Sequence, residues 1–338
     1  MKASNNILRM LLAEENYDSV SNFLTMAEHY MMIGGPLHDF FNRYQPSLRE
    51  NRNTCVGLAF QLMLRLHDLD RWFPEYASSF ALASCEENIS DVERYVIDGP
   101  GPASVIRTEK EHVVICAKVY IDGRYGVILA DPGYHIAHFV TIMADRNYPH
   151  SGWHLQMFDF DFYKQIQYVL SPANPNYLEW HELKTRDGRT DKEVALIYYA
   201  QPFLSAIPVT EKRNLVYKLK SVLARDFEGK VRAGLFFRVL PTNSHFTIMV
   251  DYDGLPIRTK VDFDFFLFPE FLPADLLLDI SRCNRQLGFA EGELFDMLCR
   301  LARLLANEPF VSEMLHIDSY IKTYCGFRPR YYHDKDIV

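Results

Sequence analysis

Three side chains of this sequence have the types and spacing of a thiol nucleophile, a base and an orienting acid. Cys55 opens a run in which apolar residues recur every three or four positions, so we expect it in the first turn of an amphipathic helix. Free backbone N–H groups and the helix dipole stabilise a thiolate at such a place. His112 and Asp131 lie at the open end of a predicted β-hairpin. A thiolate, an imidazole and a carboxylate together support covalent acyl transfer.

The hairpin is the clearest element of the sequence. Residues 112–121 and 124–131 have the composition of strands, and Asp122-Gly123 between them is a strong signal for a two-residue turn. With that turn, His112 and Asp131 become diagonal neighbours on one face, roughly 7–8 Å apart at the backbone. A slip of one residue would place them on opposite faces. The turn therefore predicts an imidazole–carboxylate contact.

Each of these residues also has a structural interpretation. Free cysteine is often a small buried residue, and a His–Asp pair can simply stabilise the end of a sheet. Cys116 lies on the same predicted face as His112 and is the second candidate nucleophile. A position in the middle of a strand lacks the help of a helix terminus, which favours Cys55.

Further residues are predicted to support or line the site. Arg52 would add positive charge beside the thiolate, and the side-chain amide of Asn53 would help backbone N–H groups to meet an oxyanion. Thr54 or Asn53 is expected to cap the helix. An apolar pocket for the acyl or aryl group is expected from four residues of the later segments: Tyr134, Trp153, Phe158 and His245. The histidine pairs elsewhere lack a third ligand at metal-binding spacing, so no metal site is predicted.

The elements that position these residues indicate an α+β fold in three regions. Residues 1–108 are predicted as a helical region bearing the nucleophile helix at 55–70, and residues 109–185 as an antiparallel β-barrel or sheet. Residues 186–338 are predicted as an α/β lid with C-terminal helices, including a helix at 211–226. An acidic stretch at 85–104 is predicted as an insertion without an assigned role.

The order of the chemical groups resembles two families. Glu111-His112-Val113-Val114 and Leu129-Ala130-Asp131-Pro132-Gly133-Tyr134 resemble the arylamine N-acetyltransferases, in which a strand beginning with the catalytic His precedes one ending in Asp-x-Gly-Phe or Tyr. This resemblance implies acetyl transfer from acetyl-coenzyme A, through an acetyl-cysteine, to an amine. It also implies a helical first domain, a β-barrel second domain and an α/β lid. The segment Asn53-Thr54-Cys55-Val56-Gly57-Leu58-Ala59 resembles the transglutaminase-like proteins. A papain-like or transglutaminase-like core is therefore expected.

Composition bounds the alternatives. The 338 residues carry a net charge of −8 and no basic block, which argues against nucleic acid as a partner. No apolar stretch reaches the roughly 18–20 residues that span a bilayer. The six cysteines are scattered without a CxxC pair, which favours reduced thiols and a cytoplasmic location. The oligomeric state is not indicated.

Three functions remain open from the sequence. The first is a cysteine acyltransferase that uses acetyl-coenzyme A or another acyl-coenzyme A. The second is a transglutaminase-like hydrolase or peptidase, and the third is a non-catalytic binding protein with the same fold. In the first two, the acyl acceptor would be a small molecule, a peptide or water.

Overall fold

The protein has a mixed α+β fold, as the sequence predicts. The computed structural model describes residues 1–49, 51–86, 110–159, 162–241 and 245–324. These residues form two antiparallel sheets and a set of packed helices. The predicted acidic insertion lies outside the described residues from position 87 onward.

The larger sheet carries the predicted hairpin as its second and third strands from one edge. Eight strands pair antiparallel in the order β5-β4-β3-β2-β9-β8-β7-β6. Their bounds are β2 Ala81–Glu86, β3 His112–Ile121, β4 Arg124–Ala130, β5 Val140–Met143, β6 His154–Asp159, β7 Phe162–Leu170, β8 Tyr177–Arg186 and β9 Arg189–Tyr198.

The smaller sheet lies mostly in the last part of the chain, with one short strand from the beginning. Five strands pair antiparallel in the order β1-β10-β11-β12-β13. Their bounds are β1 Tyr17–Asp18, β10 Leu219–Arg225, β11 Val231–Arg238, β12 His245–Tyr252 and β13 Leu255–Asp262.

Helices cover both ends of the chain. The first four precede the larger sheet, a short fifth helix follows it, and the last three follow the smaller sheet. Their bounds are α1 Lys2–Glu14, α2 Val20–Ile33, α3 Leu37–Arg43, α4 Cys55–Leu66, α5 Lys212–Val216, α6 Ala274–Gln286, α7 Glu293–Leu305 and α8 Glu308–Tyr324. None of the helices in the described part of the chain combines the length and the apolar character that crossing a membrane requires.

The hairpin β3–β4 has the register that its turn predicts. Ile121 faces Arg124, and the pairing continues to Ile115 opposite Ala130. Asp122 and Gly123 both have positive φ angles, 52° and 76°, as a type I′ turn requires. This register brings the start of β3 and the end of β4 to the same end of the sheet.

The two faces of β3 are both buried, but in different cores. The inner face, with Val114 and Cys116, packs in a core that includes Trp180 of β8. The outer face, with Val113 and Ile115, packs in a core shared with helix α4. The hairpin therefore carries His112 on its inner face while its outer face holds the helix that begins with Cys55.

Helix α4 begins where the sequence predicts. Thr54 is the N-cap, and its hydroxyl oxygen accepts a hydrogen bond from the Val56 N–H at 3.3 Å. Leu62 and Leu66 on the apolar face are fully buried in the core of the outer hairpin face. Burial of such a side chain contributes about 1.5–3 kcal/mol, so the docked face fixes the position of the helix start.

One expectation about the elements needs correction. The helix predicted at 211–226 ends at Val216, and the strand β10 follows it. Apolar residues recur there at helical spacing, but β1 and β11 pair with the two edges of β10 and satisfy its backbone. The larger sheet runs from β2 to β9 along the chain.

Candidate active site

The imidazole of His112 is held by the carboxylate of Asp131. His112 Nε2 lies 2.9 Å from both Asp131 oxygens, and the backbone N–H of Tyr134 donates to Oδ1 at 2.9 Å. Asp131 is completely buried. Since a carboxylate only accepts hydrogen bonds, Nε2 carries the proton of this contact. Nδ1 is therefore left for another partner.

That partner is the thiol of Cys55, the first residue of α4. Burial alone would lower the pKa of His112, but the charges of Asp131 and Cys55, and hydrogen bonds to both, raise this pKa well above its usual value of 6.5. Cys55 is only 2% exposed and His112 only 5%. The imidazole and the thiol therefore form a buried pair that is shielded from water.

Gly133 makes this close approach possible. A Cβ atom at this position would lie 2.6 Å from the Cβ of Cys55 and 2.8 Å from the Cε1 of His112. Cβ atoms essentially never come that close to other heavy atoms, so any side chain here would separate the two groups. Close packing thus explains why the residue after Asp131-Pro132 is a glycine.

Asn214 supplies an amide that sequence reasoning missed. Its Nδ2 donates to the Cys55 sulfur at 3.7 Å and to the Thr210 carbonyl at 3.1 Å. Asn214 lies in α5, which continues a π-helical turn at Ile207–Glu211. No motif or spacing near position 214 relates it to Cys55, because the contact depends on how α5 docks.

The buried carboxylate of Glu211 holds the start of α4. The Thr54 hydroxyl donates to the carboxylate of Glu211, which also accepts a hydrogen bond from Asn22 Nδ2 at 2.6 Å. Burial raises the pKa of Glu211, although these two hydrogen bonds lower it. The N-cap residue of α4 is thus tied to the segment that carries Asn214.

The two residues predicted to support the thiolate have other partners. The amide of Asn53 donates to Glu15 at 3.1 Å, so the amide placed on the sulfur is that of Asn214 and not that of Asn53. Arg52 forms ion pairs with Glu293 and, at 3.7 Å, with Asp18. Both side chains stabilise the loop before α4. Closeness to Cys55 in the sequence does not predict these partners, because it does not fix the direction of a side chain.

Of the predicted pocket residues, Tyr134 lies beside the imidazole. Its ring centroid is 6.0 Å from that of His112 and 4.4 Å from that of Trp180, which was not predicted for the site. The Nε1–H of Trp180 and the hydroxyl of Tyr168 are buried and have no hydrogen-bond partner among the described residues.

Two further predicted pocket residues lie in other elements. Trp153 is 42% exposed in the loop before β6. His245 is the first residue of β12, in the smaller sheet. Their positions follow from the separate sheets and loops that carry them. The side chain of Phe158 lies outside the described part of the chain.

Cys116, the second candidate nucleophile, lies in an unfavourable environment. Burial raises the pKa of its thiol far above the usual value, and the nearby charge of Asp131 raises it further. The described residues contain no group of three or more His, Cys, Asp or Glu side chains that could hold a metal ion.

Comparison with known proteins gives a distant structural neighbour. It is a crystal structure of a cysteine-to-glutamine variant of an N-arylamine acetyltransferase from Mycobacterium smegmatis. The two chains are 13% identical, with a TM-score of 0.44 and coverage of 90% of this chain and 92% of that one. No family model matches the sequence, and no curated protein matches it significantly. A functional proposal for this chain therefore rests on the geometry of its own residues.

Proposed function

We propose that this protein is a cysteine acyltransferase, which moves an acyl group from a thioester such as acetyl-coenzyme A to an amine. The observation that carries the proposal is the position of the His112 ring between the Asp131 carboxylate and the Cys55 thiol. A raised His112 pKa beside a thiol at a helix start favours a reactive thiolate.

In the first half-reaction, the Cys55 thiolate attacks the thioester carbonyl carbon and a new C–S bond forms. The electron pair of the carbonyl moves to its oxygen, towards which Asn214 and the free N–H groups of the first turn of α4 can donate. When this intermediate collapses, the bond to the sulfur of coenzyme A breaks. The leaving thiolate takes a proton from the His112 imidazolium.

In the second half-reaction, His112 acts as the base. Acylation removes the charge of Cys55, one of the contributions that raise the His112 pKa, so the ring more readily stays neutral. Its Nδ1 then accepts the proton of the amine as the amine nitrogen attacks the acyl-cysteine. Cleavage of the C–S bond releases the amide and restores the thiolate, while Asp131 holds Nε2–H throughout.

The burial of the site favours transfer to an amine over hydrolysis. Cys55 and His112 are almost completely buried, and exclusion of water protects an acyl-cysteine from side reactions. Entry of a substrate must displace part of the cover over the sulfur. The acetyl donor is supported by the resemblance of the His112 and Asp131 segments to the arylamine N-acetyltransferases, and the transglutaminase-like hydrolase is the competing assignment.

Mass spectrometry of the intact protein tests the proposal. Incubation with acetyl-coenzyme A is expected to add one acetyl group on Cys55, and an added arylamine is expected to remove it as the N-acetyl product. Cys55→Ser should abolish the adduct and leave the melting temperature within a few degrees. Cys299→Ser, which changes a buried cysteine of α7, should keep the adduct and serves as the matched control.

Two outcomes would redirect the assignment. An adduct that forms only from a panel of peptide esters, and is released by water, would favour the hydrolase or peptidase. The absence of any adduct, together with ordinary reactivity of Cys55 towards iodoacetamide, would contradict the proposal and favour a binding protein.

A further inference from the structure

A polar cleft lies beside Arg225, whose guanidinium donates to the loop that follows Asp131. It has a volume of about 330 Å³ and is formed by the ends of α1, β10 and α6 with parts of β11 and β12. Three arginines line it: Arg225, Arg232 and Arg285. The cleft is therefore large enough for a small anion with several oxygen atoms and offers several guanidinium donors.

The carboxylates of the cleft are already neutralised. Glu14 pairs with Arg65 at 2.5 Å, and Asp251 pairs with Arg232. A neighbouring cleft of about 400 Å³, which shares Asp251 and Arg285, adds one arginine and one aspartate and does not change this balance.

Two guanidinium groups of the cleft have no carboxylate partner among the described residues, those of Arg225 and Arg285. Arg285 is exposed, and its Nη1 donates to the hydroxyl of Ser281 at 2.9 Å. Arg285 therefore brings an unpaired positive charge to the open space and is free to adjust to a ligand.

Arg225 is the buried half of this pair. It is 4% exposed, and burial lowers the pKa of its guanidinium to about 9. Its Nη1 donates to the Pro132 carbonyl at 2.7 Å and its Nη2 to the Glu15 carbonyl at 2.6 Å. Its Nε–H is buried and has no acceptor among the described residues. The charges of Tyr17, Glu15 and Asp131 offset part of the cost of burying the cation. The unused Nε–H adds a further cost, which an additional acceptor would remove.

We infer that this cleft is a binding site for a phosphate group, held by Arg225 and Arg285. Guanidinium groups bind phosphate through paired, charge-assisted hydrogen bonds, and two of them match its several oxygens. The phosphate can be free, or it can belong to the acyl donor of the proposed reaction. Arg225 also holds the carbonyl of Pro132, between Asp131 and Gly133, so an occupant of the cleft acts on the loop that positions the imidazole and the thiol.

Titration with inorganic phosphate tests the site without requiring catalysis. Phosphate should raise the melting temperature more than chloride at equal ionic strength, and calorimetry should show one site. Arg285→Ala should weaken phosphate binding about tenfold, in line with the loss of hydrogen bonds to a charged group. Arg43→Ala removes an exposed arginine whose Nε donates to its own helix, at Asp39 O, and should bind phosphate as the unchanged protein does.

The result that overturns the inference is an equal response to phosphate and chloride, or equal phosphate binding in Arg285→Ala and Arg43→Ala. The same titration on Cys55→Ser should give the same affinity. Loss of the proposed enzyme activity would thus leave the binding result intact, and the two hypotheses fail separately.

Two acyl donors distinguish between the two possible sources of the phosphate. If the phosphate belongs to coenzyme A, Arg285→Ala should slow acylation of Cys55 by acetyl-coenzyme A but not by S-acetylpantetheine, which has no phosphate. If it is free phosphate, adding it should change the rate of acylation by both donors. The absence of both effects, together with absent binding, counts against the site.

Discussion

The side-chain amide of Asn214 donates to the sulfur of Cys55 across 159 positions of sequence, at an N···S distance of 3.7 Å. Asn214 is buried beside the start of α4, and a second hydrogen bond to the Thr210 carbonyl fixes its direction. The donor therefore meets the sulfur in a fixed orientation, which is the condition for stabilising charge that develops there.

Asn214→Ala is expected to slow the acylation of Cys55 by roughly 10²–10³-fold, the usual cost of removing one donor to an oxyanion. Asn53→Ala should slow it much less, because its amide binds Glu15, and should act on stability instead. Single-turnover acylation and thermal unfolding measure the two effects. Equal losses of rate in the two variants would remove the special role of Asn214.

Gly133→Ala tests the close packing of the thiol and the imidazole. The added methyl group would overlap Cys55 and His112, so we expect a loss of acylation rate of at least about tenfold and of stability by about 1–3 kcal/mol. Gly188→Ala is the control, because its φ of +74° costs stability while nothing lies within 4 Å of the new atom. Acylation that survives in Gly133→Ala at the control's rate would contradict the packing argument.

The pH dependence of stability reports the His112 contacts. The folded-state pKa of His112 lies well above 6.5, so its stabilisation is fully present below about pH 6.5 and is lost as pH rises through the folded value. The difference in melting temperature between the unchanged protein and His112→Gln should therefore shrink from pH 6 towards alkaline pH. The His112 pKa, followed by NMR, should also fall in Cys55→Ala. A difference that is independent of pH would mean that the ring gains no proton affinity on folding.

Lys220 is expected to give the opposite dependence of stability on pH. It is fully buried, and burial together with the charge of Arg213 lowers its pKa from 10.5 to about 7. The unfolded chain therefore binds this proton more tightly, so Lys220 makes stability rise with pH between about 7 and 10.5. Urea unfolding at several pH values should show this rise relative to Lys220→Met. Parallel curves for the two proteins would show that Lys220 keeps its usual pKa in the fold.

The parts of the site that the sequence predicts are those governed by local rules. Asp122-Gly123 sets the turn, the turn sets the register, and the register places His112 beside Asp131. The cap at Thr54 likewise follows from residue type and the apolar period of α4. In each case a few neighbouring residues determine the geometry.

The parts that escape prediction depend on contacts between distant segments. Asn214 reaches Cys55 only after α5 docks, and Arg225 reaches the Pro132 carbonyl only after the two sheets come together. Strand β2 consists of Ala81–Glu86, which has little intrinsic strand preference and is held by β3 and β9 on its two edges. Tertiary pairing decides such elements, and local patterns do not report it.

The sequence separations within the site also bear on how the chain matures. His112 and Asp131 are 19 residues apart and can meet as soon as their hairpin closes, within microseconds. The amide that meets the sulfur comes from 159 residues downstream of it, and contacts over such distances form slowly. During synthesis, Cys55 therefore has no contact with Asn214 until the chain has been made at least as far as that residue.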